Sequence, residues 1–151
     1  MDERRYTSKR FSILKALSEE IKTKLNGTGG FLTNLYENVH PRMLFWDEVE
    51  EYPAVHMALG NEQRVYQGGG HKDRFLNITL RAYIKDEESQ ETLELLLEDL
   101  ETVIELNGRL AYQDSSGATQ YTQDILILSI ETDEGALAPL AVGEIMLQVR
   151  Y

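Results

Sequence analysis

The chain has 151 residues and carries 15 Lys and Arg against 26 Asp and Glu, a formal net charge of −11. With 42% apolar and 27% charged residues it has the composition of an ordinary folded domain, which argues against disorder and a fibrous class. One domain over residues 1–151 is expected at this length, no run approaches the ~18 apolar residues of a membrane span, and the absence of cysteine excludes disulfides, thiol catalysis and thiolate metal sites.

Charge is unevenly placed. Residues 1–24 hold seven bases (Arg4, Arg5, Lys9, Arg10, Lys15, Lys22, Lys24) against four acids, whereas residues 86–105 hold nine acids and no base. Nucleic-acid binding draws its affinity from clustered Lys and Arg, so a chain this acidic is expected to repel DNA over most of its surface. The first residues, Met1-Asp2-Glu3-Arg4-Arg5, lack the apolar stretch of a signal peptide, so export is not expected.

In residues 6–25, Phe11, Leu14, Leu17, Ile21 and Leu25 recur at 3, 3, 4 and 4, the stripe of an amphipathic helix that Thr7 or Ser8 would cap and Asn26-Gly27 would stop. Residues 26–42 read as a connection containing Phe31, Leu35 and Tyr36. From residue 54 the period becomes two: Val55, Met57 and Leu59 alternate with Ala54, His56 and Ala58, a strand opened by Pro53 and ended by a turn at Gly60-Asn61. Residues 74–84 give the clearest strand, with Leu76, Ile78, Leu80, Ala82 and Ile84 on one face. Between these strands Gln67-Gly68-Gly69-Gly70-His71-Lys72 is expected to be a flexible loop.

A second helix is expected over residues 87–106, with Leu93, Leu96, Leu97, Leu100 and Ile104 buried, Asp86 as cap and Asn107-Gly108 as stop. Glu101 and Glu105 oppose the helix dipole near its C-terminus, a misfit that points to a surface needing negative charge. A hairpin at Asp114-Ser115-Ser116-Gly117 leads to residues 124–131, where both alternating sets are apolar, a pattern that predicts burial on both faces. Residues 144–151 form a last, one-sided strand. Hairpin-length links favour antiparallel pairing, so the expected fold is α+β: a mainly antiparallel sheet of about four main strands with both helices packed on one face.

Chemical motifs are scarce. No P-loop, nucleophile elbow or paired-histidine zinc helix is present, and Gly27-x-Gly29 follows a helix where a dinucleotide site needs a strand. His40, His56 and His71 could build a metal site with Asp47 or Asp73, but the three histidines lie on three different segments with no ligand spacing between any two. No catalytic residue, metal site or cofactor is therefore expected. The informative stretch is residues 132–143, long for a hairpin link and apolar. Leu137, Leu140 and Val142 cost about 1.5 to 3 kcal/mol each if left in water, so they either fold back on their own core or are covered by another chain. The same question attaches to the projection at Gly68, Gly69, Gly70, His71 and Lys72.

Asp47-Glu48-Val49-Glu50-Glu51-Tyr52-Pro53-Ala54-Val55 is an acidic lead-in to an aromatic-Pro-Ala-Val step. Followed by a strand, a long loop, the strand over residues 74–84, an acidic helix and a paired strand at the end of the sequence, it resembles the tail terminator proteins of long-tailed bacteriophages over residues 44–151. The resemblance implies a structural virion protein without catalytic residues. It would cap the finished tail tube as a homohexameric ring, stop polymerisation and give the head a docking surface. The implied partners are other copies of the chain, the tail tube protein and a head completion protein, with DNA passing through unheld and no membrane involved. The implied location is the tail end next to the head, reached from the host cytoplasm during assembly. Another head-to-tail connector or minor virion protein remains open as an alternative, as does an acidic binding module or inhibitor acting on a basic partner.

Overall fold

The computed structural model describes residues 8–151. Arg4, Arg5 and Thr7, named above for charge and capping, lie outside the described residues. Helix α1 spans Lys9–Lys24 and is capped by Ser8, whose hydroxyl accepts from the Phe11 N–H at 3.1 Å. Ile13, Leu14, Leu17 and Ile21 are buried on it, but Phe11 is exposed. At about 100° per residue Phe11 lies about 60° from Leu14 on the side away from Ile13, so the buried arc turns past it.

The strands are β1 (Val39–His40), β2 (Ala54–Tyr66), β3 (Lys72–Lys85), β4 (Ala111–Gln113), β5 (Thr119–Tyr121), β6 (Asp124–Thr132) and β7 (Leu140–Arg150), with helix α2 at Ser89–Leu106. Five of them form one sheet in the order β1-β2-β3-β7-β6, and β4-β5 forms a separate hairpin. The pairing is antiparallel except for β1 on β2. The fold is therefore α+β as the pattern predicts, with one strand more than the four expected. The extra strand, β1, is two residues that carry no periodicity.

β2 does not end at Gly60-Asn61. The pair forms a bulge between Leu59 and Glu62, after which the ladder resumes to Tyr66 opposite Lys72. A Cβ at Gly60 would sit 3.1 Å from the Asn77 carbonyl, so glycine is what lets the bulged backbone lie this close. Asp86 does not cap α2 directly: its Oδ1 accepts from the Glu88 N–H at 2.9 Å, closing a turn one step before the helix, which starts at Ser89. The hairpin at Asp114 is present, and the Asp114 carboxylate is held at a pKa of about 2, chiefly by the Ser116 hydroxyl, with further bonds from Gln120 and the Ala118 and Ser116 amides.

α1 packs over β1, β2 and the β4 strand of the hairpin, α2 over β3, β7 and β6, and the core lies between these helices and one face of the sheet, with Leu110 and Tyr112 joining it from the hairpin side. Leu76, Ile78, Leu80, Ala82 and Ile84 alternate into it from β3, and Ile145, Leu147 and Val149 from β7. At Gly143 the helix rests on bare backbone: a Cβ would come within 3.0 Å of Leu97 Cδ2. The expectation for residues 124–131 needs correction. β6 is an edge strand bonded only to β7 among the described residues, and Leu126, Leu128 and Ile130 are exposed. Its apolar alternation is real, but among the described residues no strand pairs with its outer side.

Candidate functional site

β7 begins at Leu140, so the link from β6 is residues 133–139, shorter than the sequence implies. Asp133 closes it. Its Oδ2 accepts from the Leu137 N–H at 3.0 Å, its Oδ1 from the Val142 N–H at 3.2 Å, and its own N–H donates to the Val142 carbonyl at 3.0 Å. Gly135 has φ +82°, and a Cβ there would lie 2.7 Å from Gln90 Nε2, so the link is pressed against the start of α2. Leu137, Leu140 and Val142 are half-buried.

These side chains share the outer face of the sheet with the segment before β2. Val142 packs with Val49, Ala54 and Tyr83 in a small second cluster, under Leu44 and Tyr52. The Tyr83 hydroxyl donates to the Leu44 carbonyl at 2.5 Å and the Tyr52 hydroxyl to the Val49 carbonyl at 2.9 Å, fixing that segment over the strands. Leu137 lines a cavity of about 300 Å³ whose other walls include Phe45 and Trp46, 66% and 47% exposed. Its polar wall is the ion pair of Arg81 Nε and Glu144 Oε2 at 2.8 Å, whose hydrogen bond raises the Arg81 pKa further. Pro139 and Leu140 continue the apolar surface toward Trp46 and Tyr52.

Gly68–Gly70 form a single 3-10 turn at the tip of the β2–β3 hairpin, where the Gln67 N–H donates to the His71 carbonyl at 2.7 Å. Gly69 and Gly70 have φ near +78° with nothing near a would-be Cβ, so backbone conformation alone calls for glycine. Behind the tip, Arg150 Nη2 meets Asp73 Oδ1 at 3.0 Å, and this bond, against the opposing effect of burial, holds the Asp73 carboxyl below the usual range. The Tyr151 hydroxyl donates to Glu62, and burial together with that bond pushes Tyr151 up to about 12. This tip and the Leu137 cavity occupy opposite ends of the strands, about 34 Å apart at ~3.4 Å per residue along β7. The residues singled out from sequence therefore fall into two separate surfaces.

A third surface is the β6 edge. Leu126, 48% exposed, stands on the outer face opposite Gln148; Ile130, 42% exposed, is opposite Ile145 on the helix face; Leu128, 53% exposed, is a bulge residue with no partner on β7. His40 and His56 stack at 5.0 Å, and His56 donates from Nδ1 to the Arg42 carbonyl at 3.0 Å, with burial lowering both pKa values. His71 is at the far tip. Among the described residues no group of three or more His, Asp or Glu is placed to hold a metal, and no helix is long and apolar enough to cross a membrane.

The family described as Bacteriophage Tail Tube Terminator Protein matches residues 7–151. This chain belongs to that family. It is 36% identical over 149 residues to the tail tube terminator protein p142 of Escherichia phage T5, covering 94% of this chain and 92% of that one. A chain from the solved virion of a native gene transfer agent particle shares the fold, with a TM-score of 0.57 over 92% of this chain and 96% of that one at 9% identity. The family makes this a structural protein of the phage tail.

Within this terminator, Phe45 and Trp46 are the exposed residues that sequence reading passed over. The signal was present: Met43-Leu44-Phe45-Trp46 is an apolar run of four directly before the acidic stretch that starts at Asp47. What was hidden is their position across a cavity from Leu137, about ninety positions later in the chain.

Proposed function

We propose that this chain closes the finished tail tube as a ring, expected to have six subunits, halts tube growth and presents the surface on which the head docks. The observation that carries the reading is its similarity, over nearly the full length of both chains, to a protein described as a tail tube terminator. The placement of the two loop surfaces supports it: a capping ring needs one contact toward the tube and another toward the head completion protein, and these surfaces occupy opposite strand ends. Gly68, Gly69, Gly70, His71 and Lys72 belong to one contact; Leu137, Leu140 and Val142, with Phe45 and Trp46, belong to the other.

With a net charge of −11, the ring lets DNA pass without holding it, and the protein has no catalytic role. It assembles in the host cytoplasm and ends in the virion at the head-proximal end of the tail. Negative-stain imaging of purified protein mixed with tail tubes tests this reading, and a terminal ring is the expected result. A strictly monomeric protein that ignores tubes, or one found on the head portal instead, refutes it. Binding to duplex DNA below micromolar at physiological salt refutes the statement about DNA.

A further inference from the structure

Soluble proteins guard edge strands with lysine, proline or short length. β6 has none of these three: Asp124–Thr132 is nine residues without Lys, Arg or Pro, its edge devices are the bulge at Leu128 and the acids Asp124 and Glu131 near its ends, and Leu126, Leu128 and Ile130 stand around its free side. An apolar rim of this kind calls for a covering surface. The helices above the sheet indicate which one. On α2, over the β6 half, Glu91, Glu94, Glu98, Glu101 and Glu105 recur at 3, 4, 3 and 4, a continuous acidic stripe whose like-charge neighbours weaken the helix that carries them.

α1, over the β1–β2 half, carries Lys9, Arg10, Lys15, Lys22 and Lys24 against Glu19 and Glu20; Lys22 lies 3.6 Å from Glu19, and Arg10 is turned onto the Gly60 carbonyl and Glu62 of β2. Beyond the two residues paired with β1, the outer side of β2 has no strand among the described residues. In the helix layer one flank is thus acidic above an apolar edge, and the other, across the full strand order, carries the net positive charge of α1, while Glu48, Glu50 and Glu51 lie near β1 around His40 and His56. Facing two β6 flanks across a two-fold axis would oppose acid with acid. Setting the β6 flank of one copy against the α1 flank of the next opposes acid with base, and head-to-tail contacts of this kind generate rings when their rotation closes.

We propose that the β6–α2 flank of one copy docks on the α1–β2 flank of a second copy, and that this is the lateral contact of the terminator ring, on which reading the proposal rests. The strand ends, with their two loop surfaces, then point along the ring axis. The test uses full-length protein, tail tubes and sedimentation of the free protein. Leu128→Lys should melt within about 2 °C of wild type, since it changes an exposed side chain, and should cap few tube ends.

Glu94→Lys with Glu98→Lys should raise the concentration for half-maximal capping about tenfold, as should Lys15→Glu with Lys22→Glu. Combining the two reversals in one chain should restore capping, a rescue that damage to the fold would not produce. If wild type caps tubes and the variants cap as well as it does, or the combined reversal fails to rescue, this contact is wrong while the terminator reading stands. Self-association with charge rescue but no capping would uphold the contact and sink the terminator reading; a wild type that neither self-associates nor caps overturns both.

Discussion

Asp133→Ala tests whether the β6–β7 link works as a rigid surface. The substitution removes the acceptor of two hydrogen bonds, 3.0 Å from the Leu137 amide and 3.2 Å from the Val142 amide, and leaves the backbone bond to Val142 in place. Bonds to a charged acceptor contribute about 1.5 to 3 kcal/mol each in buried settings, but Asp133 is half-exposed and water can reach the freed amides. The expected loss is therefore about 1 to 3 kcal/mol for the pair, a drop of roughly 2 to 10 °C in melting temperature for a domain of this size. Asp133→Asn keeps one acceptor oxygen and turns an NH2 group toward the other amide, so it should lose about half or more of the same stability, about 0.5 to 2 kcal/mol. Differential scanning fluorimetry measures both, and tube capping at a temperature where the variants stay folded measures the surface. Capping should fall even there, because Leu137 is no longer held against the cavity below Phe45 and Trp46. Melting within 1 °C of wild type for the alanine variant would refute the claim that Asp133 holds this link together.

Burial lowers the His56 pKa below its ordinary value of 6.5, so the unfolded chain binds that proton more readily. Its contribution to stability is therefore fully present above pH 6.5 and is lost as pH falls from there through the folded value; His56→Gln should flatten the melting-temperature profile between pH 7 and 5, and an unchanged slope would count against the assignment. Gly69→Ala forces a side chain into φ +77° and should cost about 1 kcal/mol, whereas Gly68→Ala, in open space without a positive φ, should be neutral or slightly stabilising. Chemical denaturation distinguishes the two, and equal effects would show that the tip does not keep this backbone in solution.

Both helices and β3 were legible in sequence because their burial is decided by near neighbours: a stripe at helical spacing on Leu93 to Ile104, or alternation on Leu76 to Ile84, has one solution. Gly60-Asn61 was not, since the same dipeptide suits a turn and a bulge, and what chose the bulge was the Asn77 carbonyl on the next strand. The burial expected for residues 124–131 failed for a related reason. Sequence records which side chains are apolar and not which strand ends up at the sheet edge, so an edge strand with two apolar alternating sets reads like a central one. Leu137, Leu140 and Val142 were visible as apolar residues in a link, but the sequence left open whether they turn inward or outward. The fold does some of each, placing Val142 against Tyr83 and Leu137 on a cavity wall.

The bulge at Leu128 has a bearing on what this protein avoids. An apolar edge without lysine or proline is the template on which cross-β fibrils grow, by stacking flat strands in unbroken register. On β6 that register is interrupted, because Ile127 faces Leu147, Ser129 faces Met146, and Leu128 has no opposite number. A bulge bends its strand and tightens the local twist, so a second β6 laid alongside meets a curved rail whose hydrogen-bonding groups are out of step in the middle. The edge can offer its leucines to a surface shaped to fit them and still be a poor seed for endless sheet growth.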